Sequence, residues 1–199
     1  MNDAPQYYVS EAHEIHLERV DQNYPHLYIL RQINEEAFPE TERKDLMLFL
    51  MGEGQPAQKN SELHAIVDGE VPVGFTIWYE LNDNYVYLLY LAIDSQYRGR
   101  KYGTKTVRLI IDKVLKDKII FGAVEAIDPS AENYEQRISR VRFYKKNGFH
   151  VFNKIFDLGI FGKYQFFCMD PSVSEDALVE MIFAEMKRTV KLSRPFKRD

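Results

Sequence analysis

Leu88-Leu-Tyr-Leu-Ala-Ile-Asp94, running directly into Ser95-Gln-Tyr-Arg-Gly-Arg-Lys-Tyr-Gly-Thr104, decides how this 199-residue chain folds. The first part is continuously apolar and stops at an acid, which reads as a buried strand. The second part is short, basic and carries two glycines. Beyond it Val107, Ile110, Ile111 and Val114 recur at the helical spacing i, i+3, i+4, i+7. Strand, loop and helix start together suit an anion. The first amides of a helix lack an intrahelical acceptor, and the helix dipole favours negative charge there. Gly99 and Gly103 keep side chains away from a ligand approaching the backbone, while Arg98, Arg100 and Lys101 add cationic donors. A plain tight turn is the alternative reading of the same residues. No Gly-Lys-Ser/Thr follows at the spacing of a nucleotide phosphate loop, and the Gly-x-Gly-x-x-Gly dinucleotide pattern fails.

Working outward, Ile119 to Ile127 reads as a buried strand, so the helix before it is a crossover between parallel strands. A helix over about Glu135 to Lys146 closes at Asn147-Gly148, and Val151 to Asp157 with Tyr164 to Asp170 makes a last strand pair. Val173 to about Leu192 is a final amphipathic helix, with Ala177, Leu178, Met181, Ile182, Met186 and Val190 on one face. Upstream, Leu63 to Val67, Val71 to Leu81 and Tyr85 to Ile93 form an antiparallel meander turned at Asp68-Gly69 and at Asn82-Asp-Asn84. Before it come a first strand over Glu14 to Val20 and a helix over Tyr24 to Ala37 broken at Phe38-Pro39. A short helix over Thr41 to Met51, with Thr41 as cap, precedes a loop over Gly52 to Asn60. The element order is βααβββαβαββα.

Composition narrows the function. With 26 Lys and Arg against 30 Asp and Glu, the formal charge is −4, which gives no electrostatic case for nucleic acid. No apolar run reaches the roughly 18 residues that span a bilayer, and the N-terminus lacks a basic region followed by an apolar core. A cytoplasmic protein is expected. Cys168, the only cysteine, lies in an apolar run and reads as a small core residue. The five histidines show no metal-ligand spacing with Cys or acids, so no metal is expected, and no Gly-x-Ser-x-Gly elbow is present.

Two segments together resemble motifs of the GNAT superfamily of acyl-CoA-dependent N-acetyltransferases. Gln96 and Gly99 match the Gln/Arg-x-x-Gly-x-Gly/Ala motif, with Lys101 standing where Gly or Ala is usual, and Gly103 fits its longer form. Further on, Arg142-Phe-Tyr-Lys-Lys-Asn-Gly-Phe149 resembles the Phe-Tyr-x-x-x-Gly-Phe signature. The likeness covers about residues 12 to 170. It implies an α/β (α+β) fold with a mixed, mostly antiparallel sheet of about seven strands flanked by helices, plus an extra C-terminal helix. Residues 1–170 would form the acetyltransferase domain, with 171–199 a helix and basic tail packed on it or extending from it.

The resemblance also assigns roles. Acetyl-CoA would be the cosubstrate, and a primary amine of a small molecule or peptide the acceptor. A homodimer is left open. Main-chain groups of Leu91, Ala92 and Ile93 would pair with the pantetheine and acyl carbonyl. The pyrophosphate would rest on Gln96, Arg98, Gly99, Arg100, Lys101, Tyr102, Gly103 and Thr104. Tyr144 matches the tyrosine that protonates the departing thiolate. A phenol titrating near about 10 and a thiol near about 8.5 make that transfer chemically reasonable. A tyrosine buried beside Val141 is the alternative. Glu125, late in its strand, could deprotonate the incoming ammonium or be a solvated strand-end acid. Arg137 stands where many relatives carry an Asn that contacts pantetheine, so Asn133 could substitute and Arg137 or Arg140 could reach a CoA phosphate, or the two arginines could lie on a solvated basic helix face. Glu36 and Glu40, in an acidic cluster with Glu35 and Glu42, would attract a cationic amine, or simply be a solvated charge run. A non-catalytic acyl-CoA-binding regulator is the rival to the enzyme.

Overall fold

The computed structural model describes residues 7–9, 15–40, 43–50, 61–157 and 162–189. Strands β1 (Tyr7–Val9) and β2 (Ile15–Arg19) are followed by helices α1 (Leu27–Ala37) and α2 (Leu46–Leu50). The meander is β3 (Ser61–Asp68), β4 (Val71–Glu80) and β5 (Tyr85–Ile93). After a 3₁₀ turn at Ser95–Tyr97 come α3 (Tyr102–Leu109), β6 (Ile119–Glu125) and α4 (Tyr134–Lys146). Short strands β7 (His150–Val151) and β8 (Phe156–Asp157), then β9 (Lys163–Cys168) and α5 (Glu175–Thr189), complete the order. One sheet results, ordered β1-β2-β3-β4-β5-β6-β9-β7 with β8 on β9, antiparallel except where β5 meets β6.

Alternation along the strands sorts the core into layers. Leu63, Ala65, Phe75, Ile77 and Tyr90 bury against α1 and α2 on one face. Ile66, Trp78, Leu88, Val124 and Phe167 meet α3 and α4 on the other. Phe121, Phe166 and Cys168, on the first face further along the sheet, pack with Leu178 and Ile182 of α5. Gly74 is dictated by packing, because a Cβ there would stand 2.3 Å from the Ala92 carbonyl oxygen.

The structure corrects several boundaries. In β2, Ile15 and Leu17 point inward as expected, but Val20 is buried and Arg19 exposed, because the strand ends between them. Asp68 pairs with Val71, so the hairpin loop is Gly69-Glu70 rather than Asp68-Gly69, and Gly69 takes φ +61°. Helix α1 starts at Leu27, three residues late, because Asp21 to His26 is taken up by successive turns. Helix α2 is only Leu46–Leu50 and follows Asp45, whose side chain accepts from the Met47 amide. Thr41, Met51 and the loop over 52–60 lie outside the described residues.

Helix α3 passes into a π-helical turn at Ile110–Val114, which rotates its stripe. Leu109 and Ile110 are therefore buried, while Ile111 and Val114 are half-buried. Strand β6 ends at Glu125, leaving Ile127 exposed. The expected strand over Val151 to Asp157 is interrupted, with β7 pairing near Phe167 and β8 near Tyr164. That break and β1 bring the strands among the described residues to nine, against the expected seven or so. Lys191, Arg194, Lys197 and Arg198 of the basic tail lie outside the described residues.

Candidate active site

Strands β5 and β6 run side by side only from Tyr85–Ile119 to Leu88–Gly122. Beyond that point β6 continues on β9 as far as Glu125–Tyr164, and β5 continues on β4 as far as Ile93–Gly74. Two parallel neighbours thus part in the middle of a sheet. The cause is a β-bulge. Ile77 pairs with Tyr90 and Trp78 with Leu88, so Leu89 is an extra residue on β5. The bulge puts Leu89 and Tyr90 on one face and bends the strand away from β6. Leu91, Ala92 and Ile93, expected as main-chain donors and acceptors, line this gap on the β5 side. The Ile93 carbonyl already accepts from Arg98 Nε at 3.0 Å.

At the open end of the gap lies a cleft of about 310 Å³, lined by Ile93, Tyr97, Arg98, Gly99, Lys101 and the first turn of α3, with Phe143 of α4 as its far wall. The loop that frames it is braced. Asp94 accepts from the Gln96 amide at 2.9 Å and from the Gln96 side chain at 3.1 Å, so that side chain is turned back on its own loop. Lys105 N–H is bonded to Lys101 O, and the amides of Tyr102, Gly103 and Thr104 precede this first helical bond. Arg98, Arg100 and Lys101 are exposed around the rim, Arg100 resting over the Tyr97 ring.

The glycines act differently from the sequence reading. Gly99 has φ +77°, a conformation favoured by glycine, with nothing within 4 Å of a would-be Cβ. Gly103 leaves room for a protein group rather than a ligand, since its Cβ would stand 3.1 Å from the Phe143 ring. That contact joins the two motifs physically. Lys101 is the only non-glycine residue with positive φ among the described residues, at +67°. A Gly would sit there without strain, which accounts for the usual residue type at this position. The Tyr102 hydroxyl bonds Asp68 Oδ2 at the tip of the β3–β4 hairpin, and that bond, foremost, raises its pKa.

Tyr144 lies on the α4 face that covers β6. Its ring is stacked on Phe167, centroids 3.8 Å apart, and flanked edge-on by Phe143 and Phe149. Burial pushes its phenol well above the ordinary range, and Arg140 acts in the opposite direction. The Tyr87 phenol on β5 is likewise raised, first by burial and then by Tyr90 and Tyr144.

Glu125 is buried, not the solvated strand-end acid allowed by sequence. Arg137 Nη2 lies 2.9 Å from its Oε1, Arg140 Nη2 meets its Oε2, and Asn133 Nδ2 lies 3.2 Å from Oε1. Arg137 is further fixed by Asn133 Oδ1 at 2.7 Å and the Ala126 carbonyl at 2.9 Å. Asn133 and Arg137, expected to touch the cosubstrate or solvent, are instead occupied with Glu125. Glu125, expected as a base, has both oxygens engaged. Arg140, expected to reach a CoA phosphate or to lie on a solvated face, is likewise paired with Glu125. Glu36 donates nothing to a pocket; it accepts from Ser95 Oγ at 3.1 Å, tying α1 to the loop. Glu40 is exposed, and Arg43 bonds the Glu35 carbonyl, so the acidic rim is partly offset by basic residues. Glu42 lies outside the described residues. Among the described residues no three His, Cys, Asp or Glu side chains gather as a metal site, and no helix is long and apolar enough to cross a membrane.

A parted pair of parallel strands thus leads to an amide-rich helix start suited to an anion, and the comparisons say which family has this arrangement. The chain belongs to the Acetyltransferase (GNAT) family, whose model matches residues 27–149. Solved structures share the fold. A Bacteroides thetaiotaomicron protein described as a GNAT-family acetyltransferase superposes with TM-score 0.67 at 18% identity, over 85% of this chain and 94% of that one. Arabidopsis thaliana Naa50, bound to the bisubstrate analogue CoA-Ac-MVNAL, gives TM-score 0.58 at 20% identity, covering 79% and 99%. An aminoglycoside 6'-N-acetyltransferase complexed with coenzyme A gives 0.55 at 19%, also covering 79% and 99%. None of the curated proteins compared with the chain matches it.

Proposed function

We propose that this chain transfers an acetyl group from acetyl-CoA to a primary amine of a small molecule or peptide, by direct attack without a covalent enzyme intermediate. The observation that carries the reading is the gap between β5 and β6 opening onto the cleft at the start of α3. The residues fit the cosubstrate. Amides of Gly103 and Thr104 with Arg98, Arg100 and Lys101 suit a pyrophosphate, and the unpaired side of Leu89 to Ile93 suits a slender arm bearing amides. Acetyl-CoA supplies, when bound, a thioester with an electrophilic acyl carbon. Tyr144 stays protonated at neutral pH because burial raises it, and it is assigned the proton that the leaving sulfur takes. The neighbours bound to a peptide-containing analogue and to an aminoglycoside enzyme's coenzyme agree with an amine acceptor without selecting one. The described residues 171–189 are read as part of the same domain, since Leu178 and Ile182 of α5 pack on Phe121 and Phe166.

The test is thiol release from acetyl-CoA with tyramine, spermidine, kanamycin or a free pentapeptide as acceptor. Tyr144→Phe keeps the ring stack on Phe167 and removes only the hydroxyl. Turnover is expected to fall roughly 10²- to 10⁴-fold with little change in acetyl-CoA affinity. Unchanged turnover removes Tyr144 from the chemistry. Tight acetyl-CoA binding with no turnover on any amine supports a non-catalytic acyl-CoA-binding protein instead.

A further inference from the structure

We propose that Arg140, held by Glu125, is a positioning residue that supports proton donation by Tyr144; this rests on the acid role given to Tyr144 above. Three observations carry it. First, Asn133, Arg137, Arg140 and Tyr144 fall on one stripe of α4 and its cap, spaced four, three and four apart, so Arg140 is one turn from Tyr144 on the side facing β6. Side chains four apart on a helix have Cβ atoms about 6 Å from each other. Second, the ionic cluster is unequal. One carboxylate meets two guanidiniums. Arg137 spends Nε, Nη1 and Nη2 on Asn133, Ala126 and Glu125. Arg140 is joined to Glu125 through Nη2 alone, and its side chain is 35% exposed, against 19% for Arg137 and 7% for Glu125. Arg140 is therefore the guanidinium with donors left over. Third, the rings packed around Tyr144, those of Phe143, Phe149 and Phe167, are uncharged.

The chemistry gives that guanidinium a task. As the amine nitrogen forms its bond to the acyl carbon, the C–S bond breaks and its electron pair goes to sulfur. Tyr144 gives sulfur its proton and is left as a phenolate until the proton released by the amine returns through solvent. A phenolate in an apolar nest is costly, and a fixed cation one turn away lowers that cost without moving. Burial and Arg140 act on Tyr144 in opposite directions, as this requires. Glu125 then serves to aim Arg140 rather than to take a proton.

The experiment is a double-mutant cycle on the full chain, with acetyl-CoA and the best of the four amines named above as probes. Arg140→Gln is expected to lower kcat about tenfold and to leave KM for acetyl-CoA within about twofold. Arg140→Lys, which keeps the charge, recovers more than half of that loss on a logarithmic scale. In a Tyr144→Phe background, Arg140→Gln costs less than about twofold, because the group it serves is gone. Glu125→Gln, which loosens Arg140 without removing it, gives a smaller loss of kcat than Arg140→Gln. Melting curves of every variant identify losses due to unfolding, and the Lys variant carries the test if the Gln variant does not fold. Equal losses in both backgrounds, a loss confined to KM, or no rescue by Lys overturns the inference. If Tyr144→Phe itself keeps full turnover, the acid assignment fails, and the inference falls with it for that separately visible reason.

Discussion

Replacing Lys101 by Gly should make the protein more stable and its grip on acetyl-CoA weaker. Lys101 caps α3 at φ +67°, ψ +9°, the left-handed region. An L-residue other than glycine is disfavoured there by roughly 1–2 kcal/mol. Glycine escapes that term but brings back about 0.4–1 kcal/mol of backbone entropy in the unfolded chain. The difference leaves a net gain of about 0.5–1 kcal/mol, or a rise in Tm of roughly 1–4 °C for a chain of this length. The ammonium is exposed beside the cleft, so its loss should weaken acetyl-CoA binding by about 0.5–1 kcal/mol, a two- to fivefold rise in Kd. Lys101→Gln separates the two effects. It keeps the strained backbone and removes the charge, so its Tm should match the parent while its Kd follows the glycine variant. Thermal melts and titration calorimetry read both quantities. A glycine variant that melts lower than the parent refutes the strain argument. One that binds acetyl-CoA more tightly shows that the lysine crowds the phosphates instead of pairing with them.

Acid should destabilise the chain through His64, which is stacked on Trp78 with ring centroids 4.3 Å apart and is held down to about 3, first by burial and then by Arg19. The unfolded chain protonates this histidine below about 6.5 and the folded chain does not, so stability falls with pH between those values by about 1.4 kcal/mol per unit. Denaturant midpoints for His64→Phe should decline less steeply by that amount; parallel curves would show that the histidine is not responsible. Gly122→Ala should lower Tm by roughly 6–12 °C, corresponding to about 3 kcal/mol of overpacking. Its Cβ would stand 2.4 Å from Phe167 Cζ and 2.8 Å from the Leu88 carbonyl oxygen, and the latter is backbone that cannot swing aside. An unchanged melt would mean that the strands have slack where they part.

The parts of the fold that follow from spacing were legible. The apolar run at Leu88 to Ile93, the helix after it and the strand beyond imposed a parallel crossover, and the structure has it. What escaped were features in which a residue's neighbour comes from elsewhere in the chain. The Leu89 bulge has no sequence mark, because Leu88-Leu89-Tyr90 reads as uninterrupted strand. Gly122 did carry a mark, a glycine inside an apolar strand, which points to close approach of another backbone or ring. Arg137 and Arg140 read equally well as a wet helix face, since the acid that draws them inward sits on a different element. Tyr102 read as part of the phosphate loop, but it opens helix α3 and its hydroxyl is bonded to Asp68, thirty-four residues earlier. The expected roles of Asn133 and Arg137 came from resemblance, and they depart where this chain's own residues depart from the motif.

The parting of β5 from β6 gives this sheet an edge in its middle. Outer edges attract other strands, and proteins blunt them with charge or curvature. An inner edge is open to few visitors. Helices α3 and α4 lie over one face and α1 and α2 over the other, so a second polypeptide strand with its side chains finds no room to enter. What can lie there is a narrow chain with hydrogen-bonding groups of its own, entering lengthwise from the cleft. On the function proposed above, the fold would select its visitor by thickness before any side chain takes part, and the ligand would complete a ladder that the polypeptide leaves unfinished.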